Sequence, residues 1–248
     1  MKKIFSFCLL AVALIFSHQA VAQTADQVVE WNIKAMGGRE NLNAVKTRKM
    51  VASMEMQGIE MVTTIFHMLP NFFRTETNIM GKTAISAFNG IEGWSLNPMT
   101  GRETVVKMTA DEVKSSKEQS HFHGSLFEYK SHNSTIELAG EEDVDGAAAY
   151  HIKLTTSDKD VIHYYIDKES HFVVKQKMKM KMEDGSESES EVLFSNFQTT
   201  NGITMAHSME NVNQYMGQTM KLPISIKSVE YNMNLDLALF QNPEQIKK

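Results

Sequence analysis

The stretch from Thr63 to Asn97, TTIFHMLPNFFRTETNIMGKTAISAFNGIEGWSLN, constrains the fold more than any other part of the chain. Four short β-like runs are broken at Pro70-Asn71, Gly81-Lys82 and Asn89-Gly90. Proline fixes φ, while glycine and asparagine tolerate left-handed geometry, so residues of this kind punctuate hairpins and the spacing predicts an antiparallel meander. A curved sheet is the expected centre of the protein. No nucleophile with its base, no nucleotide loop and no spaced metal cluster stands out in the stretch, so function must be sought in surface and cavity chemistry.

The remaining chain extends the same pattern. Thr24-Ala25-Asp26-Gln27 fits a capping box, and Val28, Trp31 and Ala35 recur at helical spacing behind it. Gly37-Gly38 ends that helix, and a short second helix is expected from Arg39 to Val45. From Thr47 to Gln57 the residues alternate, with Met50, Ala52, Met54 and Met56 on one face, while Ile59 to Leu69 is apolar on both parities. Thr109-Ala110-Asp111-Glu112 is a second capping box, opening a helix to about Gln119, and Ser120 to His132 reads as a loop or a short helix at the mouth of the sheet. Strand patterns return at Ser134 and continue through Lys177-Met178-Lys179-Met180-Lys181-Met182, with methionines on one face and lysines on the other. Ser186 to Glu191 reads as a solvated hairpin tip, without the ligand spacing of a calcium loop. Val192–Thr200 and Ile203–Met209 pair across Asn201-Gly202, and the final strand is expected over Ile224–Asn234. Roughly ten to eleven strands with two or three helices make a mainly β (α+β) fold built on an antiparallel sheet.

Met1 to Ala22 carries Lys2 and Lys3, an apolar run from Ile4 to Phe16, and Ala20-Val21-Ala22 before Gln23, the layout of a secretory signal cleaved after Ala22. Residues 23–248 then form a single domain of an exported protein. The only cysteine, Cys8, lies inside the apolar run, so the mature chain has no disulfide, thiolate ligand or cysteine nucleophile. Loss of two lysines moves the formal charge from -5 to about -7. Such acidity argues against nucleic acid as a partner, because phosphate binding needs a basic face. No transmembrane anchor is expected in the mature chain.

Eighteen methionines are the compositional oddity. Flexible and polarizable, a face lined by Met50, Met54, Met56, Met61, Met178, Met180 and Met182 can adapt to acyl chains of varied shape. The same stripe also fits an ordinary methionine-filled core, and thioethers suit Cu(I), although period-two methionines need not converge on one metal. His121-Phe122-His123 with His132 nearby invites a zinc reading, but lacks both a glutamate base and a defined third ligand. No metal or cofactor is expected. A Gly-x-Ser-x-Gly elbow is absent.

Leu69-Pro70-Asn71-Phe72-Phe73-Arg74 and Phe88-Asn89-Gly90-Ile91-Glu92-Gly93-Trp94-Ser95-Leu96 resemble the outer-membrane lipoprotein-sorting family, the LolA-like proteins with LolB, RseB and the mycobacterial lipoprotein carriers. The resemblance continues through Gly37-Gly38 with the Leu42-to-Lys49 entry, Val144-Asp145-Gly146, Tyr165-Ile166-Asp167, Asn201-Gly202-Ile203 and Leu239-Phe240. It implies an incomplete antiparallel β-barrel whose concave face is closed by helices over an apolar pocket for acyl chains. By the same resemblance Arg74 holds the place of an arginine that helps control cargo binding, and Trp94 lines or braces the pocket. The expected function is that of a periplasmic, non-enzymatic carrier of lipid or lipoprotein acyl chains, with membrane-bound donor and acceptor proteins as further partners. The competing readings are an envelope lipoprotein sensor or interaction domain, and a metal-dependent enzyme using His121 and His123.

Overall fold

The computed structural model describes residues 23–181, 187–215 and 218–246, so the expected leader and its cleavage junction lie outside the described residues. Two helices come first. In α1 (Ala25–Ala35) the Thr24 hydroxyl accepts from the Gln27 N–H and the Gln27 side chain accepts from the Thr24 N–H, which satisfies two amide donors that the helix itself leaves free. The buried stripe is Val28, Val29, Asn32 and Ile33, with Trp31 tilted against Tyr150 at 5.9 Å. After Gly37 the chain turns into α2 (Gly38–Ala44).

Thirteen antiparallel strands follow as one sheet: β1 (Thr47–Met56), β2 (Ile59–Met68), β3 (Phe72–Ile79), β4 (Lys82–Phe88), β5 (Gly93–Asn97), β6 (Arg102–Lys107), β7 (Thr135–Val144), β8 (Ala147–Thr155), β9 (Val161–Asp167), β10 (Val173–Lys181), β11 (Glu187–Thr200), β12 (Ile203–Tyr215) and β13 (Gln218–Tyr231). Their spatial order is β6-β5-β4-β3-β2-β1-β13-β12-β11-β10-β9-β8-β7. Two meanders therefore join where β1 pairs with β13, and the free edges are β6 and β7. The sheet curves without closing. Chain leaving one edge must cross to the other, and it does so through α3 (Ala110–Gln119) and the turns that follow as far as Ser134.

The strand count exceeds the ten or eleven expected. β6 is a short, polar edge strand, and β13 begins at Gln218 instead of Ile224, upstream of Pro223, whose missing N–H makes it an unusual strand residue. The acidic run is also corrected. Glu187 to Glu191 open β11 and pair with Lys181 to Lys177 of β10, and Lys177 lies 3.3 Å from Glu189 and 3.1 Å from Glu191. Opposite charges set across a strand pair stabilise it, so a run that looked like a solvated tip becomes ladder. Asp184, Gly185 and Ser186 lie outside the described residues.

The principal core joins α1 and α2 to the β7–β10 half of the sheet through Val28, Ile33, Leu42, Ile152, Leu154 and Ile166. Phe122, Leu126 and Tyr129 of the crossing connection complete it. Apolar side chains from three separate stretches thus exclude water from one face, here called the inner face. Against the opposite end of α1, Gly37 has φ +119° and meets the Asn201-Gly202 turn so closely that an added Cβ would lie 2.2 Å from the Gly202 carbonyl oxygen. At Gly38, φ is +84° but a Cβ would meet nothing within 4 Å. Gly37→Ala should therefore destabilise the protein by more than roughly 2 kcal/mol, from backbone strain plus overlap, and Gly38→Ala by only about 1 kcal/mol. Urea unfolding of the two variants measures the difference, and equal losses would contradict the close contact.

Candidate functional site

Side chains at paired positions of a ladder share a face, so the register decides what the inner face carries. Arg48, Met50, Ala52, Met54 and Met56 of β1 stand opposite His67, Ile65, Thr63, Met61 and Ile59 of β2. His67 touches Phe122 of the connection, which assigns this whole set to the inner face. The expected methionines Met50, Met54, Met56 and Met61 are therefore brought together. Met50 and Met61 are buried, whereas Met56 and Ile59, at the hairpin end, are 41% and 40% exposed. Met178 also faces inward, opposite Ile162 and packed on the principal core, but four strands away from β1 in the sheet order. Met180 continues β10, and Met182 lies outside the described residues.

Direct pairing extends the apolar surface well beyond the methionines expected. Ile79 stands opposite Met61, Met61 opposite Met54, Met54 opposite Ile224, Ile224 opposite Met209, and Met209 opposite Phe194. The result is one inward-facing rung across six neighbouring strands, about 24 Å long at the usual interstrand spacing. Met61 is buried and the other five are half-buried. None of the six belongs to the core made by α1 and the connection. An apolar row this long, with water still reaching it, is suited to covering by a flexible hydrocarbon.

At the opposite end of the same face, the strands enter beneath α2 and the connection. Here Arg48 lies under the Phe122 ring, 5.3 Å from its centroid, and its Nη2 is 3.3 Å from His67 Nδ1. A guanidinium only donates, so Nδ1 must be unprotonated and the Nε2–H donates to the Gln119 carbonyl oxygen, 2.9 Å away. Neutral His67 thereby fastens the end of α3 to β2. Burial, followed by the nearby Arg48 charge, pushes its pKa down to about 3. The same two causes, with Lys46 added, push His123 down to about 4. A hollow of about 40 Å³ lies here, lined by Arg48, Phe122, His123, Met205 and Tyr231 among others. A second, of about 50 Å³, lies beside Trp94 and Asn242. Both fall far short of the roughly 300–1,000 Å³ of a preformed site for a drug-sized molecule.

Arg74 and Trp94 face the other way. Arg74 pairs with Phe66 and Ala87, and Ala87 with Trp94, which puts all four on the outer face. There Arg74 donates through Nη1 to the Leu239 carbonyl at 2.7 Å and through Nε to Glu76 at 2.7 Å, and its guanidinium lies 5.3 Å from the Trp94 ring. The Trp94 indole N–H points at the Phe240 carbonyl at 3.4 Å. Phe240, fully buried in the turn Leu237–Phe240, packs on Phe72 at 5.4 Å. In this structure the two residues brace the C-terminal segment and do not share the methionines' face. Strand parity separates them from the cavity side, a relation the sequence leaves open until the covered face is known.

The histidines divide into a stacked pair and a separate ring. His121 stacks on His132 at 3.9 Å, with Nδ1 3.2 Å from the Ser125 hydroxyl, while His123 turns to Phe122 and Phe127. Burial first, then His132 and Lys117, pushes His121 down to about 4. Among the described residues no three histidine, cysteine or carboxylate side chains are placed to hold a metal ion. α3 is tied across the sheet by Lys114, 2.9 Å from Asp160 in the β8–β9 turn, an exposed pair of small energetic worth.

No protein-family model matches this sequence, and comparison with curated proteins gives no match. Solved structures do match. A LolA superfamily protein from Nitrosomonas europaea aligns at a TM-score of 0.60 and 10% identity, over 90% of this chain and 100% of its own. A DUF1329 family protein from Desulfovibrio piger aligns at 0.56 and 14% identity, over 88% and 98% of the two chains. An outer-membrane lipoprotein-sorting protein domain from Vibrio parahaemolyticus aligns at 0.52 and 13% identity, over 89% and 100%. The protein has a LolA-like fold: an open, curved antiparallel sheet with helices on one face.

His67 makes the pH behaviour testable. Its folded pKa is depressed, so its contribution to stability is complete above the unfolded value near 6.5 and is lost as pH falls toward the folded value of about 3. Glu118 and Glu128, raised chiefly by burial, act in the opposite sense, so the informative quantity is a difference between proteins. Between about pH 7 and about pH 5, wild type should lose roughly 2 kcal/mol more unfolding free energy than His67→Gln. Urea titrations at both pH values provide the comparison; equal losses would mean that His67 is not held neutral.

Proposed function

We propose that this protein is an exported, non-enzymatic binder and carrier of lipid or lipoprotein acyl chains, working in the periplasm. The observation that carries the reading is the half-buried inner rung from Ile79 through Met61, Met54, Ile224 and Met209 to Phe194. Its chemistry suits a hydrocarbon without a fixed shape, because methionine adapts its contacts and every covered methylene contributes about 0.8 kcal/mol. Binding of this kind requires no bond making or breaking.

Two further features support it. Met56, Ile59, Met80 and Met220 are exposed at the hairpin ends nearest the rung, so an apolar path leads from solvent to the inner face. The lipoprotein-sorting description of the Vibrio domain, carried over by fold, suggests the same class of cargo. Export rests on the layout of Met1 to Ala22. No helix among the described residues is long and apolar enough to cross a membrane, which agrees with a carrier that moves between surfaces.

Native mass spectrometry of protein purified from its own envelope should detect bound lipid, and the delipidated protein should take up a fluorescent acyl probe. Met54→Glu, which sets a carboxylate into the rung, should weaken uptake about tenfold or more, with Met54→Leu close to wild type. Protein that arrives without lipid and ignores the probe would end the carrier reading.

A further inference from the structure

Arg48 is the least explained charge in the molecule. Its Nε is buried without a hydrogen-bond partner, and among the described residues no carboxylate pairs with it. Its polar contact through Nη2 is to a neutral imidazole, and its other close neighbour is the face of Phe122. Desolvation lowers its pKa, although a guanidinium remains charged. The residue as a whole is half-buried, so the guanidinium keeps some water, but its Nε has none, and a cation–π contact returns only part of what that desolvation costs. Such an arrangement calls for an anion.

The surroundings fit one. Arg48 borders a hollow of about 40 Å³ whose other walls are largely apolar, Met36, Leu42, Phe122 and Met205 among them, with His123 and Thr204 also lining it, a setting in which a charge-assisted pair is strengthened. That volume admits a small polar group and not a chain. From Arg48, however, the next inward-facing residues of β1 are Met50, Ala52 and Met54, flanked by Ile65 and Val229 and leading to the rung about 20 Å away at strand rise. One end of the inner face thus presents a fork of N–H donors and the other an extended apolar row.

We infer that the inner face selects an acidic amphiphile, a long-chain carboxylic acid whose carboxylate is held by the unpartnered Nε edge of Arg48 and whose chain runs along Met50 and Met54. This rests on the acyl-binding reading and adds the head-group chemistry to it. A planar guanidinium matches a carboxylate with two parallel N–H···O bonds, while His67, already donating to Gln119, holds Nη2 in place.

The test compares palmitate, methyl palmitate and acetate on delipidated mature protein by isothermal titration. Wild type should bind palmitate about tenfold or more tightly than its methyl ester, the gain expected of a charge-assisted bond. Acetate should bind far more weakly than palmitate. Arg48→Met should bind both long-chain ligands alike, at the affinity wild type shows for the ester, and should melt no lower than ligand-free wild type because a partly desolvated, unpaired charge has been removed. If Arg48→Met does not fold, Arg48→Gln and the wild-type acid-to-ester ratio still decide the matter. Equal binding of acid and ester by wild type would overturn the Arg48 assignment and leave the carrier reading standing. An acid preference that survives Arg48→Met would overturn the assignment in favour of another cation. Acetate binding as tightly as palmitate would reduce the site to a small-anion pocket and overturn the amphiphile. Failure of both long-chain ligands would remove the carrier reading together with it.

Discussion

An open sheet of thirteen strands has two edges, and a single chain that builds both of them must travel from one to the other. The stretch between Lys107 and Thr135 makes that journey across the inner face, so covering the sheet and connecting its edges are one requirement. What fixes the crossing in place is concentrated near one end. Phe122, Leu126 and Tyr129 join the core of α1, and the His67 imidazole bonds to the end of α3. Apolar burial supplies most of the attachment, and the histidine fixes its register. Away from that end the fastening is weaker, an exposed Lys114–Asp160 pair that salt screens. The rung from Ile79 to Phe194 lies outside the principal core, so the packed core and the partly open apolar row occupy different parts of one surface.

The outer face solves a separate problem. After β13 the chain runs back over β3 to β5, and Phe240 is buried between Phe72 and the Arg74–Trp94 pair. An arginine donating to a main-chain carbonyl and to Glu76 while lying over an indole is well satisfied, and it needs no further partner. Arg48 is the opposite case. It is the contrast between these two arginines, one fully engaged on the outside and one with a buried unpaired nitrogen on the inside, that directs attention to the inner face for ligand chemistry.

Much of the architecture could be read from local signals. The turns at Gly81 and Asn201-Gly202, both capping boxes and the alternation of Met50, Met54 and Met56 act over a few residues, and the structure keeps them all. Relations between distant strands were not legible. Ile224 and Met209 join the rung only because β1 pairs with β13, a contact between residues 170 positions apart in the chain, for which no local pattern exists. The facing of Arg74 and Trp94 was not legible for a related reason: alternation tells which residues share a face, and only the helices decide which face is inner. Arg48, within Thr47-Arg48-Lys49 at a strand entrance, has the look of a solvated pair of cations until Phe122, far along the chain, closes over one of them. The acidic run that opens β11 was misread through its charge, since its partners are the lysines of β10 on a neighbouring strand.

A partly desolvated cation without a counter-ion persists in a fold only where something offsets its cost, and neutral His67 does so incompletely. An imidazole with pKa near 6.5 in water would ordinarily share the positive charge at mildly acid pH, repelling Arg48 and surrendering the bond that holds α3. Burial prevents this by keeping the ring neutral, which preserves an acceptor for Nη2 and leaves Nε without a partner in a side chain that also lines the hollow. The histidine and the arginine therefore act as one unit: one fastens the cover, and the other keeps a charge beneath it. Any anion drawn to that charge would relieve the main electrostatic cost on the inner face, so ligand binding and firmer attachment of the crossing connection should be linked through the same few atoms.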